Sequence, residues 1–232
     1  MASTPESLVR TLLALTVASG LVDAVCYLGL GRVFTANMTG NVVVLGFAAA
    51  GAAGFSVPAT LTSLALFLVG AVCASRAALP VAAGGRSRLL LVAIATETVF
   101  VGAGALVAFL VPSVGHGWPR YLTIALLAFA MGVRNATVRR LAVPDMTTTV
   151  LTMTLTGLAA DSFLAGGHNQ GSVRRACVVL AMLVGAVVSA ALFLHIGAAL
   201  PLLIAAALVA VAGVAFWRSQ GRAAYDHPPA EA

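Results

Sequence analysis

Apolar residues run along this chain in stretches of about twenty, the length a membrane-spanning helix needs, and arginine, proline or glycine closes most of them. The pattern predicts eight hydrophobic helices, over roughly 11–30, 33–50, 58–79, 89–111, 120–140, 146–165, 177–196 and 198–217. Connections are short, with "PVAAGGRSR" and "PSVGHGWPR" as the clearest loops. The stretch "TLLALTVASG" after Arg10 looks like a signal peptide, but it lacks an A-x-A-like site and the apolar run continues past Asp23. A retained first helix is expected. The fold class is therefore all-α, a polytopic transmembrane helix bundle over residues 1–217. A polar, proline-containing tail at 218–232 is expected to be disordered.

Two of the eight runs differ from the rest. "VFTANMTGNVVVLG" crowds Thr35, Asn37, Thr39 and Asn41 into its start, and "MTTTVLTMTLTGLAADSF" carries Thr at six positions before Gly157. Both are polar enough to be re-entrant or broken within the membrane, so six to eight helices cross. Laid over each other, the two regions suggest an internal repeat, with halves at about 8–111 and 118–217. Gly20-Leu21-Val22-Asp23-Ala24 matches Gly132-Val133-Arg134-Asn135-Ala136, and Thr35 or Thr147 stands eleven residues beyond each Ala. After a one-residue slip, Thr39-Gly40-Asn41 aligns with Thr152-Met153-Thr154.

Composition supports the membrane assignment. The chain is 61% hydrophobic and 9% charged, with a mean hydropathy of +1.05, where a soluble domain carries about 25% charged residues. The net charge of +6 does not point to nucleic acid, because the basic residues, all arginine, flank apolar runs and read as topology signals. With eight crossings the arginines divide six against seven. With six crossings they divide 11 to 2, leaving Arg32 and Arg120 outside. Seven crossings also give 11 to 2, with Arg10 and Arg120 outside. Both unequal solutions put the 76–88 loop, Arg139, Arg140, Arg174, Arg175 and the C-terminus in the cytoplasm. Six crossings make the halves inverted repeats; seven or eight make them parallel, and transporter folds use both kinds.

Cys26, Cys73 and Cys177 are isolated, as are the four histidines, so neither a disulfide framework nor a metal or other cofactor is expected. HExxH and a glycine-rich phosphate loop ending in Gly-Lys are missing, and "GFSV" at 54–57 is a poor serine-nucleophile loop. No enzyme is expected.

The stretches "GLVDAVCYLGLGRVFTANMTGNVVVLG" and "ALLAFAMGVRNATVRRL", with the later "TTTVLTMTLTGLAAD", resemble the YoaK-type family of bacterial multi-spanning membrane proteins, a domain of unknown function. The resemblance covers nearly the whole chain and is most specific at G-x-x-D-A, F-x-A-N-M-T-G-N and G-x-x-N-A. Met153 departs from it, standing where a glycine is expected. The resemblance implies a multi-pass protein of the bacterial inner membrane and carries no substrate with it.

Ionisable groups at membrane depth usually mark a pathway or a pair. Ser19, Asp23 and Tyr27 fall on one helical face at i, i+4 spacing. Arg134 and Asn135 hold the repeat-equivalent place, so an Asp23–Arg134 pair is expected, either gating a site or locking the halves together. Glu97, between Thr96 and Thr98, has no obvious local cation, which suits either a proton carrier or a protonated side chain bonded to a threonine. Asp161, near the end of its run, is expected to reach interfacial water. On a helix, Thr35 stacks on Thr39 and Asn37 on Asn41, while Gly40 leaves room for a close approach. These groups either line a solute site or serve helix packing. The preferred reading is a secondary transporter or permease for a small solute. Its substrate-binding set is Asp23, Tyr27, Asn37, Thr39, Gly40, Asn41, Arg134, Asn135, Thr148, Thr152 and Thr156, with Asp23 and Glu97 for proton coupling. The alternative is a non-transporting membrane scaffold or accessory subunit. Partners on either reading are the lipid bilayer and, for the first, a small solute.

Overall fold

A computed structural model describes residues 6–81, 85–141, 151–169 and 171–226. Among these, all regular structure is helical: α1 (Glu6–Gly29), α2 (Met38–Ala49), α3 (Val57–Val81), α4 (Gly85–Leu110), α5 (Gly117–Leu141), α6 (Leu151–Ala160), α7 (Ser172–Ile196) and α8 (Ala199–Asp226). A 3-10 turn, Phe163–Ala165, follows α6. Six of the helices are long and apolar enough to cross a membrane. The polar pair is not: α2 has 12 residues and α6 has 10, so they reach about 18 and 15 Å against a hydrocarbon core of about 30 Å. The last helix runs on to Asp226, so the polar tail expected from residue 218 begins as helix. Residues 227–232 lie outside the described residues.

The protein is an integral membrane protein, and apolar side chains both fill its interior and cover its outside. α1 and α5 supply the largest shares of the interior, through Leu12, Leu15, Val22, Ile124, Leu127 and Met131. α7 instead exposes Leu180, Leu183, Val184 and Leu194, the side chains that lipid would cover. Some hydroxyls bond back to their own helix: Thr16 donates to Leu12 O at 2.9 Å and Thr98 to Ile94 O at 2.9 Å. No water is needed to satisfy them.

Two close helix crossings set the frame. Where α1 meets α7, a Cβ on Gly20 would lie 2.3 Å from Met182 O, and one on Gly185 would lie 2.2 Å from Val17 O. Where α3 meets α5, a Cβ on Gly70 would lie 2.3 Å from Phe129 O, and one on Gly132 would lie 2.1 Å from Phe67 O. Only glycine permits such backbone contact, the packing mode that small residues give membrane helices. Ser189 donates to Leu21 O at 2.7 Å further along α1, so α1 and α7 run parallel. Arg140 donates to Ser75 O at 3.0 Å further along α3, so α3 and α5 do too. α4 packs on α5 and α8, and α8 packs on α1, closing the bundle. Ser87 near the start of α4 bonds Gln220 near the end of α8 at 3.0 Å, so these two run antiparallel.

Candidate functional site

The polar stretch after α1 does not continue as a helix. Residues 30–37 turn back along α1, and Thr35 and Ala36 return to the level of Asp23, about 9 Å short of the helix end at Gly29. Asp23 Oδ1 holds them there, accepting from Thr35 N at 2.7 Å, Thr35 Oγ1 at 3.0 Å and Ala36 N at 2.9 Å. α2 begins only at Met38, with Asn37 as its N-cap, the Asn37 side chain accepting from Gly40 N at 3.2 Å. The expected helical stacking of Thr35 on Thr39 and of Asn37 on Asn41 is therefore corrected. Asn41 has a different task. Its amide exchanges bonds with the Phe34 backbone, Phe34 N to Oδ1 at 2.8 Å and Nδ2 to Phe34 O at 2.7 Å, and Nδ2 also reaches Ser63 on α3 at 3.1 Å. The space beside Gly40 is taken by the Phe34 ring, 2.9 Å from where a Cβ would stand. Tyr27 stacks on the same ring at 4.9 Å between centroids.

Deeper in the bundle, Arg134 sits among three helices. Its Nη1 donates to Leu15 O at 2.7 Å and to Glu97 Oε1 at 2.8 Å, and its Nη2 donates to Ser19 Oγ. Arg134 and Glu97 are both sealed from solvent and form an ion pair. The expected partners are thus rearranged: Arg134 joins Glu97, which has a cation after all, and Asp23 joins the returning loop. The local sequence could not supply this pairing, because Arg134 arrives from a helix 37 residues away. Asp161 is half exposed and pairs with Arg175 at 2.5 Å.

Next to Arg134, Asn135 points elsewhere. It lines a cleft of about 810 Å³ whose walls are the start of α2 (Asn37, Met38, Thr39), α3 (Phe67, Ala71, Ser75) and α5 (Asn135, Ala136, Arg139, Arg140). Asn41 lies level with Ser63 and Asn37 shares the cleft with Phe67 and Ala71, so the N-terminal end of α2 lies level with the middle of α3. Of the substrate-binding set, the cleft gathers Asn37, Thr39 and Asn135. Asp23 backs it through Ala36, and Arg134 belongs to the ion pair. Thr152 and Thr156 are exposed on α6 and do not line the cleft, Met153 is exposed beside them, and Thr148 lies outside the described residues. In the sequence Arg139 and Arg140 read only as topology signals, and nothing there marks Phe67, Ala71 or Ser63. One signal for Arg139 was available: it stands four residues after Asn135, on the same helical face.

The family model described as "Protein of unknown function (DUF1275)" matches residues 11–215. The chain belongs to this family. The chain is similar to the UPF0700 transmembrane protein YoaK of Bacillus subtilis (strain 168), at 34% identity over 154 residues. That similarity spans 66% of this chain and 66% of the relative's own length. No solved structure matches. Family membership agrees with the six long apolar helices in making this a multi-pass membrane protein.

Proposed function

We propose that this DUF1275 protein is a secondary transporter or permease for a small solute, with the α2–α3–α5 cleft as part of the solute's path. The observation that carries this reading is the start of α2, a half-length helix that packs on α3, begins level with the middle of α3 and opens onto a cleft lined by Asn37, Thr39 and Asn135. Transporters build midplane sites from such broken helices, because the unpaired backbone groups at the break are ready partners for a solute.

The packing also supports two related halves. Exchanging α1–α4 for α5–α8 turns the α1–α7 contact into α5–α3 and the α1–α8 contact into α5–α4, and both sets occur. It likewise exchanges Gly20 with Gly132, each in its own tight crossing. With three long helices per half the repeats are inverted, the arrangement in which arginines divide 11 to 2. On this reading the C-terminus is cytoplasmic and the membrane is the bacterial inner membrane. The second reading, a non-transporting scaffold, draws on Asp23 and Asn41, whose hydrogen bonds serve the fold alone.

Flux separates the two. Proteoliposomes loaded with a mixture of neutral, cationic and anionic metabolites are followed by mass spectrometry, using wild type and Ala71→Phe, which fills the cleft without touching Arg134 or Asp23. Transport predicts selective loss of one solute class from wild-type vesicles and its retention by the variant. Vesicles that hold every solute as well as protein-free liposomes would rule transport out.

A further inference from the structure

The cleft has a chemical sign. Among the described residues no acidic side chain lines it, and its two charged groups are both arginines. Arg140 is tied to Ser75 O at 3.0 Å, whereas Arg139 is exposed and has no acidic partner among the described residues. The inner end is formed by the first turn of α2, where Asn37 occupies the Gly40 N–H. The remaining N–H groups of a first helical turn have no partner within their helix and carry the positive end of the helix dipole. The second, independent observation is Asn135. It is only 9% exposed, lines the cleft and has no hydrogen-bond partner for its amide among the described residues. A polar group without a protein partner is completed by what it faces, and Asn135 faces the cleft. Between these polar ends the walls are apolar, from Met38, Phe67, Ala71 and Ala136. Asp23, which backs the cleft through Ala36, has its Oδ1 engaged by three donors from Thr35 and Ala36, while its Oδ2 has no partner among the described residues.

We infer that the cleft binds a small organic anion, its carboxylate or phosphate held between Asn135 and the first turn of α2, and its apolar body against Phe67 and Ala71. This rests on the transport reading and names the substrate class. A volume of about 810 Å³ exceeds what an inorganic ion fills and falls within the range of small-molecule pockets, about 300–1,000 Å³. Arg139, one turn beyond Asn135, is the entry charge that attracts the anion.

A matched series tests the charge apart from the apolar body: benzoate, phenyl phosphate, benzamide and benzylamine share one ring and differ in head group. The full chain in phosphatidylcholine nanodiscs is titrated with each, following thermal unfolding. Benzoate or phenyl phosphate is expected to raise Tm saturably, with benzamide and benzylamine inert. Asn135→Asp sets a carboxylate against the head group and is expected to weaken binding by about tenfold or more. Arg139→Gln, at an exposed position, is expected to weaken it by about threefold. The exposed variant keeps the test decisive if Asn135→Asp fails to fold. Equal stabilisation by all four compounds, or none by either anion, overturns the inference. Anion binding unchanged in both variants also overturns it. If phosphatidylglycerol added to the nanodiscs alone raises Tm and blocks benzoate, the site belongs to a lipid head group and the solute assignment falls. Selective flux of a neutral or cationic metabolite would leave transport standing and remove the anion.

Discussion

Arg134 and Glu97 meet at 2.8 Å with their side chains 1% and 0% exposed, joining α5 to α4 at a point where water does not reach. Removing one member of such a pair strands the other charge. Glu97→Ala is expected to destabilise the protein by about 3–5 kcal/mol, seen as a large fall in Tm or in the denaturant midpoint. The double variant Arg134→Met/Glu97→Leu should recover most of that loss, since no charge is left unpaired. A Glu97→Ala protein as stable as wild type would mean that the pair does not hold the helices.

The glycine crossings make a second prediction. Gly20→Ala and Gly132→Ala each drive a Cβ to within 2.3 Å of a carbonyl oxygen on the facing helix, so both helices must move apart. Each is expected to cost about 1–3 kcal/mol, whereas Gly46→Ala, with nothing within 4 Å, should be neutral. Thermal unfolding of the three variants side by side checks this.

Asp23 distinguishes a hydrogen-bond role from a charge role. Asp23→Asn keeps a carbonyl oxygen for Thr35 N and Ala36 N; Asp23→Ala leaves both N–H groups without an acceptor, at about 1–3 kcal/mol each. Hydrogen exchange over residues 30–41 should accelerate strongly in Asp23→Ala and only slightly in Asp23→Asn. Strong acceleration in both would show that the negative charge, and not the acceptor, holds the loop.

Six crossings fix which loops share a side. With Cys26, Cys73 and Cys177 replaced, a cysteine at His116 should react with an impermeant maleimide in intact cells. One at Ser87 should react only after lysis. The reverse pattern would invert the topology, and labelling of both in intact cells would break the six-span arrangement.

Much of this architecture was legible from run length alone, because a helix that must hide its backbone from lipid advertises itself over about 20 residues. The two short helices were visible as polar runs, though their lengths were not: Asn37 looks like any helical residue until Asp23 is seen to tether the residues before it. The charged partners were illegible for a geometric reason. Asp23 had two acceptable mates, an arginine on another helix or the N–H groups of a returning loop, and spacing along the chain does not rank them. Asn135 was recognised as a candidate, but the apolar walls around it come from α3, whose Phe67 and Ala71 carry no polar signal.

The paired glycine contacts have a mechanical corollary. α1 is welded to α7 and α3 to α5, backbone against backbone, with no side chain between them to slide or repack. Two stiff couples remain, and any hinge has to run along the seam between them, where α4 and α8 meet and where one guanidinium group reaches from α5 to α1. That guanidinium is the bolt across the joint.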